Sequence, residues 1–237
     1  MIPKIIHYCW FGRNPIPELA LKCIESWHRY MPDYEYRFWD ENIFDISSVP
    51  YVKEAYDTKK YAFVSDYVRL YALKEEGGIY LDVDFEVYKS FDDLLMFHAF
   101  AGFEGSKTNP VMMGVIASEP HGLWVSEQLS RYQTRHFIIN GKPDCTTNVR
   151  FITDGMILNG FKPDGKEQDY KDLHVFPVEY FSPRLTTGEY LKTKNTFCEH
   201  KGSHSSWARK KLKSSLIVLF SPSVRTFLIK TKRKVFG

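Results

Sequence analysis

Two pairs of residues near the middle of the chain have the types and spacing to do chemistry. The first is Asp82 and Asp84, in the stretch EEGGIYLDVDFEVY from Glu75 to Tyr88. Acids are depleted in strands, yet this pair follows a strand-forming Ile79-Tyr80-Leu81 run. Strand alternation puts Ile79, Leu81, Val83, Phe85 and Val87 on one face, and Tyr80, Asp82, Asp84 and Glu86 on the other. A half-solvated amphipathic strand makes the same pattern. The chemical alternative is a hard cation. Residues two apart on a strand lie ~7 Å from each other, within reach of one divalent ion and its waters. Mg²⁺ and Mn²⁺ take such oxygen donors and keep open positions for substrate phosphates.

The second pair is Asp66 and Arg69, the only charges in YAFVSDYVRLYAL from Tyr61 to Leu73. At a spacing of three they share a helix face with Ala62 and Leu73. The stripe they interrupt is apolar, so the helix is expected to be buried on nearly every side. Buried charges must pair or bind something. A structural salt bridge satisfies that rule, and so does a helix end that presents both groups to a cleft.

These residues need a frame to hold them. A helix from about 59 to 76 is closed by Gly77-Gly78, and a strand is expected from Ile79 to Tyr88. Upstream, KIIHYCWFG reads as a buried strand. PELALKCIESWHRYMP has helical spacing at Leu19, Cys23, Ile24 and Trp27 and stops before Pro32, and YEYRFWD alternates as a second strand. This β-α-β opening predicts an α/β fold with helices on the faces of a largely parallel sheet. Residues 97–160 are expected to mix short strands with one helix around Trp124 to Tyr132, and residues 161–195 to be loop-rich. The chain has 237 residues and is 43% hydrophobic and 16% aromatic, enough for one large core. One domain over 1–208 with a peripheral tail over 209–237 is the simplest partition.

Cys9, Cys23, Cys145 and Cys198 show no paired or metal-ligand spacing and read as reduced thiols. The N-terminus has no leader pattern, and no apolar run approaches the ~20 residues of a spanning helix. Charge is asymmetric. Ten of the 32 basic residues and none of the 29 acids lie after Glu199, leaving residues 1–199 at a net −7. Basic clusters alternating with short apolar runs such as LIVLF suit an amphipathic element on an anionic membrane surface. No nucleic-acid module accompanies them. A cytoplasmic protein, peripheral on the inner face of the membrane, is the expectation.

Taken together, IPKIIHYCWFG, FVSDYVRLYALKEEGGIYLDVD and the late GSHSSW resemble the DXD-containing glycosyltransferases of family 32. That family includes fungal-type mannosyltransferases and bacterial capsular polysaccharide enzymes, and shares its sugar-binding core with the large clostridial glucosylating toxins. The resemblance is densest over residues 1–90 and thinner to about 207. It implies a GT-A-type, Rossmann-like nucleotide-sugar-binding fold with a mixed, mainly parallel central sheet. It implies transfer of a hexose from a nucleotide-diphosphate sugar, with a UDP-sugar donor favoured over GDP-mannose, a surface-polysaccharide or lipid-linked acceptor, retention of configuration, and Mn²⁺ or Mg²⁺ as cofactor.

Residue by residue, Trp10 matches the tryptophan that stacks on the nucleotide base, and Tyr8 beside it is assigned to the donor as well. Asp66 and Arg69 match the pair that holds the sugar and its phosphate. Asp82 and Asp84 match the DXD pair, Asp84 binding metal directly and Asp82 through water. Ser206 and Trp207 match a closing loop over the diphosphate, with His204 a further candidate ligand. Where relatives carry Thr-Gly-Pro, this chain offers Thr153-Asp154-Gly155, which sets Asp154 either facing the sugar or acceptor or merely in a turn. The competing classes are a phosphohydrolase with Asp82 as nucleophile and a non-catalytic, membrane-associated sugar-binding protein.

Overall fold

The structure, a computed structural model, describes residues 1–202. Residues Met1–His200 form one compact unit. Its elements are β1 (Ile5–Cys9), α1 (Glu18–Tyr30), β2 (Glu35–Trp39), α2 (Pro50–Asp57), α3 (Tyr61–Glu76), β3 (Gly78–Leu81), β4 (Phe85–Val87), β5 (Ala99–Phe103) and β6 (Val111–Ser118). There follow α4 (Leu123–Ser130), β7 (Ile138–Ile139), β8 (Lys142–Pro143), α5 (Asn148–Leu158), β9 (Gln168–Tyr170), β10 (Leu173–Phe176) and β11 (Cys198–His200). The chain is α/β, as its opening pattern predicts.

The central sheet has seven strands in the order β2-β1-β3-β6-β5-β10-β9. β2, β1, β3, β5 and β10 run one way, and β6 and β9 run against them. The sheet is therefore mixed and mainly parallel, a GT-A-type arrangement. Two side sheets complete it, β11 with β4 and the hairpin β7-β8. Apolar side chains fill both faces. One core cluster joins α2, α3, α4 and α5 to the sheet through Val68, Leu70, Trp124 and Ile152. The other packs α1 and a group of phenylalanines, Phe91, Phe100, Phe181 and Phe197, on the opposite face.

The expected helix over 59–76 is α3, and among residues 61–73 only Ala62 is exposed. It ends at Gly77 and Gly78, both at positive φ; a Cβ on Gly78 would lie 2.6 Å from the Ile5 carbonyl oxygen of β1. The expected strand over 79–88 is corrected. It breaks after Leu81, and Asp82, Val83 and Asp84 form a turn closed by the Phe85 N–H donating to the Asp82 carbonyl (3.1 Å). The break lets β3 stay buried on both faces while β4 leaves the main sheet for β11. Several elements lie where none of their kind was expected. α5 lies where short strands were expected, and β10, inside the loop-rich segment, is a central strand parallel to β5. Among the described residues no helix is long and apolar enough to cross a membrane. Ser206, Trp207, His204 and the 209–237 tail lie outside the described residues.

Candidate active site

The turn carrying Asp82 and Asp84 sits where β3 stops, and three neighbours fix it. The Asp82 N–H donates to the Gly114 carbonyl of β6 (2.8 Å). From α1, the Trp27 indole N–H donates to the Phe85 carbonyl (2.7 Å), and the Ser26 hydroxyl accepts from the Val87 N–H (2.9 Å). Gly114 is required at close quarters: a Cβ there would lie 2.6 Å from the Phe85 ring and 2.8 Å from Asp82 Oδ2.

α3 supplies a buried cation next to this turn. The Arg69 Nη2 lies 3.1 Å from Asp66 Oδ1 and 3.3 Å from Asp82 Oδ1, its Nη1 donates to the Met113 carbonyl (2.6 Å), and its Nε donates to the Ser65 carbonyl (3.2 Å). The guanidinium also stacks over the Tyr80 ring, whose hydroxyl donates to Asp82 Oδ1 (2.8 Å). A guanidinium has about five N–H donors, so most are engaged by protein atoms. Arg69 thus locks two carboxylates in place and projects its field into the cleft more than it grips a ligand. Burial works against its charge, but the carboxylates of Asp82 and Asp66 outweigh it and keep it protonated. Burial likewise pushes the Asp66 carboxyl up to about 6, against the pull of Arg69.

The pairing of β11 with β4 sets His200 opposite Phe85. Its ring stacks on Phe85 at 4.8 Å, and its Nε2 lies 2.9 Å from Asp84 Oδ2. Burial opposes a charge on this imidazole, but the bond to Asp84 outweighs it and raises the pKa. His200 was missed by sequence reasoning, which looked four residues on to His204. The short Cys-Glu-His strand has no periodicity to reveal it.

Two cavities meet at these groups. One, of about 450 Å³, is lined by Cys9, Trp10, Phe11, Asn14, Tyr61 and Asp84 among others. The other, of about 420 Å³, is lined by Asp66, Phe85, Glu104, Met112, Asn148 and Ser182 among others. Ala62, Arg69, Asp82 and His200 line both. The Trp10 indole N–H donates to the Asn14 carbonyl (2.6 Å), which holds the ring at the first cavity's wall.

The structure therefore brings Trp10, Asp66, Arg69, Asp82 and Asp84 together. Tyr8 is corrected. Alternation along β1 turns its ring away from Cys9, and it packs on Trp27 (5.6 Å) and Phe38 (5.2 Å), lining neither cavity. Asp154 is corrected too. It faces solvent on α5, paired with Arg150 at 3.3 Å, while Thr153 is buried and accepts from the Val111 N–H. The start of α5 lines the cavity instead, through Thr147, Asn148 and Val149. Thr147 capping a helix with Val149, Ile152 and Met156 on its inner face was a readable signal. Glu104, at the end of β5, was also missed; burial raises its carboxyl, and His200 partly offsets this.

Residues 17–101 match the family described as the glycosyltransferase sugar-binding region containing a DXD motif. The inositol phosphoceramide mannosyltransferase 3 of Schizosaccharomyces pombe is 35% identical over 140 residues, covering 55% of this chain and 38% of its own. A mannosyl phosphorylinositol ceramide synthase of Saccharomyces cerevisiae is 30% identical over 147 residues, covering 58% and 38%. The chain thus spans well under half the length of these relatives. Among solved structures, the PaToxG glycosyltransferase superposes with a TM-score of 0.51 at 20% identity, over 67% of this chain and 70% of that one. It is similar in fold.

Proposed function

We propose that this chain, whose residues 17–101 match the glycosyltransferase sugar-binding region containing a DXD motif, is a metal-dependent, configuration-retaining hexosyltransferase. It would take a hexose from a nucleotide-diphosphate sugar and pass it to a lipid-linked or surface-polysaccharide acceptor. One observation carries the reading: Asp82, Asp84 and His200 stand where a tryptophan-lined cavity meets a carboxylate-lined one. A nucleotide sugar has the same sequence of parts, a flat base, a charged diphosphate and a hydroxyl-rich ring.

The donor set fits a hard divalent cation such as Mn²⁺ or Mg²⁺. Asp84 and His200 converge to 2.9 Å, and Asp82 offers a second carboxylate through water. Among the described residues no three His, Cys, Asp or Glu side chains are gathered as a finished cage, so the remaining ligands would be water or substrate oxygens. When bound, the ion would neutralise charge on the departing diphosphate. Trp10 offers its indole face to the base. Arg69 adds a fixed positive field beside the diphosphate position without reorganising. Asp66 and Asp82, held by Arg69, present acceptors to sugar hydroxyls. Front-face substitution, without a covalent intermediate, is the proposed route.

The donor expectation was a UDP-hexose. Of the two relatives named above, one is an inositol phosphoceramide mannosyltransferase and the other a mannosyl phosphorylinositol ceramide synthase, which supports mannose as an equal candidate and a lipid-linked acceptor. A peripheral position on the cytoplasmic face of the membrane, through residues 209–237, belongs to the same proposal. Truncation after residue 208 should release the protein from anionic vesicles. The test of the function itself is release of nucleoside diphosphate and hexose from a panel of UDP-hexoses and GDP-mannose, with Mn²⁺ and with chelator. Metal-dependent turnover of one donor is expected; no turnover and no binding of any donor by folded protein would refute the reading. The DxD phosphohydrolase is not favoured: Asp82 Oδ1 is already engaged by Tyr80 and Arg69.

A further inference from the structure

We infer that Glu104 is a specificity residue, the carboxylate that accepts hydrogen bonds from hydroxyls of the hexose carried by the donor. The inference rests on the glycosyltransferase reading above and extends it to a residue outside the DXD segment.

The two cavities divide the residues by position. Trp10, Asn14, Tyr61 and Asp84 line only the first, and Asp66, Glu104, Met112, Asn148 and Ser182 line only the second. A ligand with its base at Trp10 and its charged centre beside Asp84 and His200 would place whatever follows the diphosphate in the second cavity. Glu104 stands on that cavity's wall at the end of β5. Its backbone is fixed, its N–H donating to the Pro110 carbonyl (2.8 Å) and its carbonyl accepting from the Ser106 N–H (2.7 Å). Gly105 follows and packs closely, a Cβ there lying 2.8 Å from the Leu185 side chain.

The carboxylate on this fixed backbone is half-buried, yet among the described residues it forms no hydrogen bond or ion pair; His200 is the charged group that bears on it. Asp66 and Asp82, by contrast, are tied to Arg69. A partly desolvated carboxylate without a donor is unfavourable, and its two oxygens match adjacent hydroxyls on a sugar ring. Met112 and Phe85 supply apolar surface in the same cavity, and Asp66 and Asp82 bring the other carboxylates to it.

The test compares wild type with Glu104→Ala and Glu104→Gln by calorimetric titration with Mn²⁺. Each protein is titrated with UDP and UDP-glucose, and with GDP and GDP-mannose. Bonds to a charged acceptor predict that Glu104→Ala weakens the preferred sugar nucleotide roughly tenfold or more while leaving its nucleoside diphosphate unchanged. Glu104→Gln, which keeps the shape, should show a smaller loss of the same kind and guards against misfolding of the alanine variant. Unchanged affinity for the sugar nucleotide in both variants would overturn the inference. So would equal loss for nucleotide and sugar nucleotide in a folded variant, which would move Glu104 to the diphosphate. A hexosyl adduct on Glu104 by intact mass would make it a nucleophile instead. Wild type that binds neither nucleotides nor sugar nucleotides would fail the glycosyltransferase reading itself, a result distinct from the others.

Discussion

The two walls of the cleft are built on different principles. The first wall comes from β1, α3 and the turn after β3, a short span of sequence. Its polar groups are held by one another: Arg69 bridges Asp66 and Asp82, Tyr80 donates to Asp82, and Arg69 and Tyr80 are buried while Asp82 meets the cleft. The second wall is gathered from Glu104, Met112, Asn148, Ser182 and His200, which are spread over nearly a hundred residues of chain. Its polar groups are tied to separate partners, His200 to Asp84 and Asn148 to Tyr132, while the Glu104 carboxylate has no hydrogen bond among the described residues. The first wall makes the charged frame; the second leaves acceptors and donors open for a ligand. Folding stability and substrate choice should therefore separate between them.

Arg69→Met tests that separation most severely. It strands two carboxylates in a buried site, which should cost about 3–5 kcal/mol of stability and abolish turnover. Denaturant unfolding of the variant reads the first, and an unchanged midpoint would break the distinction between the walls. Asp84→Ala should act oppositely. Turnover should fall on the order of a thousandfold if several kcal/mol of charge stabilisation is lost, while its half-exposed contact with His200 limits the stability change to about 1 kcal/mol or less.

A buried histidine supports the first wall. His7 is fully buried; its Nδ1 accepts from the Trp39 indole N–H (3.0 Å), so its Nε2–H donates to the Gly77 carbonyl at the end of α3 (2.7 Å). Burial lowers its pKa to about 4. The unfolded chain, with an ordinary histidine pKa near 6.5, binds the proton more readily. Stability should thus be complete above about pH 6.5 and fall by about 3 kcal/mol as pH drops toward 4. His7→Gln should flatten that part of the curve, as thermal melting across pH would show; an unaltered slope would dismiss His7 as its source. The smallest effect belongs to the second wall. Asn148→Ala removes the acceptor of the Tyr132 hydroxyl (3.1 Å) and should cost about 1 kcal/mol by denaturant unfolding, with the metal-dependent binding of nucleoside diphosphate retained.

The same contrast explains what could be read from the residues alone. The first wall was legible because its charges interrupt an apolar helix and its glycines end that helix beside an acidic turn. A strand period was extrapolated one step too far, since Asp82 to Asp84 is a turn whose break depends on β4 finding β11. The second wall was largely illegible. His200 and Glu104 gain meaning only from strand pairings between distant segments, and alternation along β1 sets Tyr8 against Trp27 and Phe38. The start of α5 was the exception, a capped amphipathic helix overlooked in favour of Thr153-Asp154-Gly155.

The central claim is that the Asp84 turn joins a nucleotide end to a hexose end through a divalent ion. Its most direct measurement is equilibrium binding of the preferred sugar nucleotide to wild type and Asp84→Ala, each titrated with Mn²⁺. The account predicts that Mn²⁺ tightens binding to wild type and has no such effect on the folded variant. Equal Mn²⁺ dependence in both proteins, or none in either, would contradict it.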